Sequence, residues 1–297
     1  MDKLTLSVGL VLMFGWGIAD FISSKVVRKL GSFKTIYLNN IIWTIALIPF
    51  AFFFDMSINP INFIPIFGAT ICQVIAMYYF YQSMKIGEIS VVTPISASYS
   101  LVTVFLLMIL FGYELSLLSL VAIFILVLGI ILTSTDLKKI KHLHTVKGVK
   151  ESIVALLGWG VFYVFFEIAA KDITFFVRFP PTSATALFFH AGIIMGISQI
   201  LFSTFNKGVV HKKDLKNNNS LFLMVIANII YLITWSTLNL GIVTGNTALI
   251  AAISSLYPAI TVILAMVFFK EKLVLNQWFG IFTIFAGLAL IGFSMSL

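Results

Sequence analysis

Apolar residues run along this chain in long stretches separated by short polar loops, without the strict alternation of a barrel strand. Hydropathy windows place apolar spans at 4–23, 34–54, 62–84, 88–111, 116–134, 151–170, 182–205, 219–241, 245–269 and 274–296. A hydrocarbon core about 30 Å thick takes roughly 20 apolar residues per helical crossing, so each stretch is long enough to span it. Hydrocarbon offers no water to an unpaired backbone group, which makes each span a helix. The fold class expected is all-α, a polytopic membrane protein of ten transmembrane helices.

The pattern also repeats. Sliding the chain by 158 residues lays Gly87 to Leu132 onto Gly245 to Leu290 and matches Tyr99 with Tyr257, Thr103 with Thr261 and Gly129 with Gly287, among others. A shift of 143 lays Gly15, Trp16 and Gly17 onto Gly158, Trp159 and Gly160. Apolar residues coincide easily by chance, but glycine, tryptophan, tyrosine and threonine at a steady offset do not. Residues 1–135 and 151–297 are therefore expected to be two five-helix repeats, joined by a basic linker at 136–150 that carries Lys138, Lys139, Lys141, Lys147 and Lys150. Five is odd, so the second copy enters the membrane from the other face and the repeats are inverted. Such halves can close alternately on either side of a central site, an architecture recurrent in secondary transporters.

Composition agrees. Hydrophobic residues make up 60% of the 297-residue chain and charged residues 10%, against about 25% charged in soluble domains. The net charge of +8 is not a nucleic-acid signature, because the lysines and arginines lie in short loops and not on one folded face. Of the 19, 16 fall in the loops after spans one, three, five, seven and nine, leaving Lys3, Lys171 and Arg178 on the other face. The positive-inside rule then puts both termini outside the cytoplasm. The single cysteine, Cys72, reads as a core residue, and the segment from Leu4 reads as the first span, not a cleaved signal.

Polar groups inside spans cost a few kcal/mol each and face a cavity or a partner helix, so depth ranks the candidates. His190, mid-span, is the proton-sensing candidate because imidazole is the side chain able to take or release a proton near neutral pH, with Glu167 or Asp20 as helper; its bland role is a bond to a neighbouring helix. Gln73 and Asn228 sit at mid-span in the third and eighth helices and either bond a solute or tie helices together. Tyr78, Tyr231 and Trp235 lie around them. Trp159, Tyr163, Glu167 and Lys171 are spaced by four on one helical face. Asp20 and Glu167 fall about 16 residues into their spans, near the water interface. Pro94 and Pro258 interrupt backbone bonding beside Ser98 and Ser254, which makes either a polar notch or a close-packing site. Tyr99 and Tyr257 form a matched pair, one per half.

Signatures of enzymes are missing: there is no P-loop, no HExxH or paired CxxC, no GxSxG elbow and no acidic cluster for magnesium pyrophosphate. No cofactor, metal or catalytic residue is expected.

The sequence resembles the drug/metabolite transporter superfamily in its ten-helix EamA-type branch. The resemblance rests on Trp16-Gly17 and Trp159-Gly160, on the run from Ala251 to Pro258, and on the glutamates Glu114 and Glu271 at the fourth-to-fifth helix junctions. The halves depart from each other at Ser100, which stands where the second has Pro258, and at Glu114, one residue out of register with Glu271. The resemblance implies a multi-pass carrier in the cell (plasma) membrane, and both termini inside the cytoplasm, contrary to the loop count. The expected activity is alternating-access movement of a small organic metabolite such as an amino acid, amine, nucleotide-derived or drug-like solute, possible proton coupling included. The expected cavity is lined by helices one, three, four, six, eight and nine, with Trp16 and Trp159 among its residues. The bilayer and the solute are the partners expected, a homodimer stays open, and the alternatives are a lipid or lipid-linked flippase or a non-transporting structural subunit.

Overall fold

A computed structural model describes residues 3–111, 117–134, 146–174, 177–216, 219–244, 254 and 256–294. Its helices are α1 (Lys3–Leu30), α2 (Ser32–Leu47), α3 (Phe63–Ile86), α4 (Ile89–Ala97), α5 (Ser100–Phe111), α6 (Leu117–Ser134), α7 (Val149–Ala170), α8 (Ala184–Phe205), the short α9 (Lys212–Leu215), α10 (Ser220–Thr244), α11 (Tyr257–Phe269) and α12 (Leu275–Ser294). A two-residue antiparallel ladder, Ile173–Thr174 with Arg178–Phe179, lies in the loop between α7 and α8. Among the described residues, five helices are by themselves long and apolar enough to cross a membrane, at Leu6–Leu30, Pro60–Ile86, Val149–Ala170, Thr185–Phe205 and Ser220–Thr237. The fold is all-α, a polytopic bundle of two inverted five-helix repeats. Its outer surface is studded with exposed large apolar side chains such as Phe124, Ile131, Val267 and Phe282, which suits hydrocarbon as solvent and not water.

Several expected boundaries move. The first span continues to Leu30, past the window that ended at 23, because Lys25, Arg28 and Lys29 ride on its last two turns. The fourth span is broken: α4 passes through Pro94, ends at Ser98, and α5 restarts at Ser100. Most of the basic linker, and Glu114, lie outside the described residues.

The repeat offsets reappear as matched close approaches between helices. A Cβ on Gly17 of α1 would sit 2.6 Å from Ile260 Cβ and 2.7 Å from the Tyr257 carbonyl; one on Gly160 of α7 would sit 2.6 Å from Val102 Cγ1 and 3.2 Å from the Tyr99 carbonyl. Those partners are related by 158 just as the glycines are by 143. Each crossing carries the same bond, Thr261 Oγ1 donating to the Gly17 carbonyl at 3.0 Å and Thr103 Oγ1 to the Gly160 carbonyl at 3.1 Å. The α6–α12 pair exchanges with itself, since Gly129 faces Ile284 while Gly287 faces Leu126. A pseudo-twofold axis requires this reciprocity, and small residues permit it by letting the backbones meet. Replacing Thr103 or Thr261 by valine is expected to cost about 0.6 kcal/mol in each half, read as matched losses in thermal unfolding of detergent-purified protein.

The face bearing α1's last turns is held by charge. Glu271, just beyond α11, accepts from Arg28 at 2.7 Å, from the backbone N–H groups of Ile89 and Ser90 at 3.1 and 2.9 Å, and from Ser90 Oγ at 2.6 Å. Glu88, the residue preceding α4, makes no side-chain cap, so Glu271 caps that helix from the other half. On the same face Lys34 donates to Asp214 at 2.6 Å, and that bond holds the Asp214 carboxyl below the usual carboxylate range.

Candidate functional site

Between the repeats lies a cavity that leaves about 190 Å³ for the centres of water-sized molecules. That is room for on the order of a dozen waters or one small organic molecule. Its wall is built from ten positions that the repeat offsets pair: Trp16 with Trp159, Asp20 with Tyr163, Gln73 with Tyr231, Met77 with Trp235, and Tyr99 with Tyr257. Each half thus lends equivalent turns of its first, third and fourth spans. The breaks at Ser98–Tyr99 and just before Tyr257 place those two tyrosines at helix starts beside the crossing glycines, aimed at the cavity.

Rings hold the wall in shape. Trp16 meets Tyr257 and Trp235 edge-on at 6.0 and 6.1 Å, Tyr99 stacks on Tyr163 at 4.8 Å with their hydroxyls 3.3 Å apart, and Phe188 stacks on Trp235 at 6.1 Å. Trp159 Nε1 donates to Gln73 at 2.9 Å. In the equivalent place in the other half, Tyr231 donates its hydroxyl to Asp20 Oδ1 at 2.7 Å.

Toward the basic face a cluster of rings packs off the cavity wall. Phe33 stacks on Tyr78 at 4.7 Å and both meet Phe202, above a core of Val27, Ile36, Phe80, Tyr81 and Met84. Tyr78 therefore belongs to this cluster and is not on the wall.

Of the residues expected at the site, the structure gathers Trp16, Asp20, Gln73, Tyr99, Trp159, Tyr163, Tyr231, Trp235 and Tyr257 around the cavity. It places the others elsewhere. His190 bonds the Met56 carbonyl at 2.8 Å and packs between Phe63 and Phe189, tying α8 to the loop after α2. Glu167 pairs with Lys171 one turn on, as an interfacial charge should. Asn228 is buried and donates to Asn39 at 3.1 Å, a tie between α10 and α2. Pro94 and Ser98 are enclosed, with Ser98 Oγ donating to the Pro94 carbonyl at 3.0 Å, so the expected notch is filled by its own hydroxyl. Ser254 and Pro258 are buried behind Tyr257.

Asp20 is the opposite correction. The sequence places it near the interface, but ten residues of α1 follow it and it is 7% exposed. Two helices were also missed, because α2 supplies Asn39, Asn40 and Trp43 while α8 supplies Phe188, Gly192 and Gln199. The signal was present: an Asn-Asn pair and a glutamine inside apolar spans are as costly there as Gln73. Asn40 and Gln199 bond across the cavity rim at 3.2 Å.

Two inverted repeats of apolar helices that enclose a cavity between them have the architecture recurrent in membrane transporters. The chain belongs to the EamA-like transporter family, whose family model matches residues 3–135 and 147–293. No curated protein matches the sequence. One crystal structure of a protein is similar with a TM-score of 0.64 at 14% identity, covering 98% of this chain and 96% of the other, a likeness of fold alone.

Proposed function

We propose that the protein is a secondary transporter that moves a small organic solute across the plasma membrane by alternating access. The observation that carries this reading is the paired wall: five pairs of repeat-related positions converge on one cavity. A solute there meets equivalent surfaces from both halves, so rocking one repeat against the other exposes the same site to either face. A non-transporting subunit has no use for a cavity lined with aromatic rings and amides, which forgoes packing that a dry bundle would keep. The basic face is the cytoplasmic one, by its lysines and arginines. The bilayer and the solute are the partners, and no cofactor takes part; the solute's own gradient, exchange or a proton gradient drives movement.

Reconstitution in liposomes tests this directly. Wild-type protein should move at least one member of a panel of amines, amino acids, nucleosides and sugars, and protein-free liposomes should not. Tyr257→Ala, which opens the wall beside Trp16, is expected to cut that flux on the order of tenfold or more, the effect of losing one aromatic contact of about 1.5 kcal/mol. His190→Ala should leave flux per folded molecule within about twofold of wild type, since its ring is off the wall. Equal losses in the two variants would contradict the assignment of the cavity as the route.

A further inference from the structure

Asp20 is the sole charged residue on the cavity wall among the described residues; no lysine, arginine or histidine accompanies it. Its bonded partner there is a neutral phenol, Tyr231. Burying a carboxylate without a countercharge costs several kcal/mol, so the fold gains nothing by keeping one at this depth. The repeat makes that argument specific. The equivalent position of the second half is Tyr163, which bonds Tyr99, and the equivalent of Tyr231 is Gln73, which accepts from Trp159, so the matching part of the wall is built there without a charged residue. An acidic group is therefore not needed to build this wall, and it faces whatever enters the cavity.

The rest of the wall says what that is. Twelve of its twenty-two residues are aromatic, including four of the protein's five tryptophans. Ring faces attract a cation and are indifferent or repulsive to an anion. Asn39, Asn40, Gln73 and Gln199 add neutral donors and acceptors, but no cationic side chain is present to pair with a solute's carboxylate or phosphate.

We infer that the cavity takes an organic monocation, an ammonium group carrying a small apolar or aromatic body, with Asp20 as its countercharge and the tryptophan and tyrosine rings around it. This rests on the transporter reading and names its substrate class. An anionic or zwitterionic metabolite would leave its own negative charge facing Asp20 and the rings.

Three probes of one shape separate the cases: phenethyltrimethylammonium, 2-phenylethanol and phenylacetate, titrated against the tryptophan fluorescence of the detergent-purified full chain. The cation is expected to bind at least about tenfold tighter than the alcohol, with phenylacetate weakest. Asp20→Asn should lose that preference and bind cation and alcohol alike, while Asp20→Glu should keep part of it. Equal affinities of the three probes for wild type, failure of the cation to bind, or undiminished cation binding by Asp20→Asn would overturn the proposal. If Asp20→Asn does not fold, judged by size exclusion, the wild-type ranking decides alone. Flux in liposomes separates this from the broader reading: movement of neutral or anionic solutes but not cations sinks the cation assignment and leaves transport standing, whereas no movement of any solute sinks both.

Discussion

Glu271→Ala is expected to lower the unfolding free energy in mild detergent by about 2–4 kcal/mol, the largest loss of any charged residue among those described. Breaking a buried ion pair costs about 3–5 kcal/mol, and an N-cap adds about 1. The Glu271 side chain is 7% exposed but that of Arg28 is 30% exposed, so water recovers part of the cost and brings a sum of about 4–6 kcal/mol down to about 2–4 kcal/mol. Four donors end on this one carboxylate, and they come from α1 and from the start of α4, whereas Glu271 itself belongs to the second repeat. Its loss therefore loosens the seam between the halves on the basic face. Arg28 also lies 4.2 Å over the ring of Phe269, which keeps its guanidinium in place even without the acid. Glu271→Gln, which keeps an acceptor but not the charge, should fall between. A double-mutant cycle with Arg28→Ala should give a coupling of more than about 0.5 kcal/mol. Strict additivity, or an alanine variant that melts with wild type, would show that the seam is held by packing alone.

The second large effect is expected at the two crossing glycines. An alanine at Gly17 or Gly160 gains about 1 kcal/mol of helix propensity, yet its methyl arrives 2.6 Å from a branched side chain across the interface. Neither Ile260 nor Val102 can rotate its Cβ region away, so the helices must separate. Overpacking of this kind costs about 1–3 kcal/mol, which outweighs the propensity gain. Each alanine should therefore lower stability by up to about 2 kcal/mol, and the double variant should lose the sum, because the two crossings share no partner. Flux should fall further than stability does. Tyr257 and Tyr99 stand on the displaced helices, and their rings form part of the wall. Alanine accepted at one glycine but not the other would mean that the two crossings are not equivalent, and the pseudo-symmetry would be confined to the sequence.

The candidate site was legible to a limited depth. Residues with a repeat partner were readable, since Trp16, Trp159, Tyr99 and Tyr257 announce themselves by recurring at fixed offsets. Residues without one were ranked by position within a hydropathy window, and there the ranking misled. His190 looked deep but bonds the carbonyl of Met56 in the loop after α2, while Asp20 looked shallow because charged residues in the last turns of α1 shortened the apparent span. Asn39, Asn40 and Gln199 were visible as polar residues inside spans, but nothing local said that α2 and α8 turn those faces inward.

The amino-acid sequence alone determined that this is a membrane protein of helices, duplicated and inverted, and of a transporter family. Hydrocarbon imposes those features residue by residue, through transfer cost and the need to bond every peptide group within its own segment. Only the tertiary structure decided which side chains meet. In a bilayer the lipid-facing and helix-facing sides of a span are both apolar, so the sequence carries little record of how each helix is rotated about its axis. That rotation is set by small residues and reciprocal threonine bonds between helices far apart in the chain. It is what brings one carboxyl group without a countercharge on the wall, Asp20, into a ring of tryptophans and tyrosines.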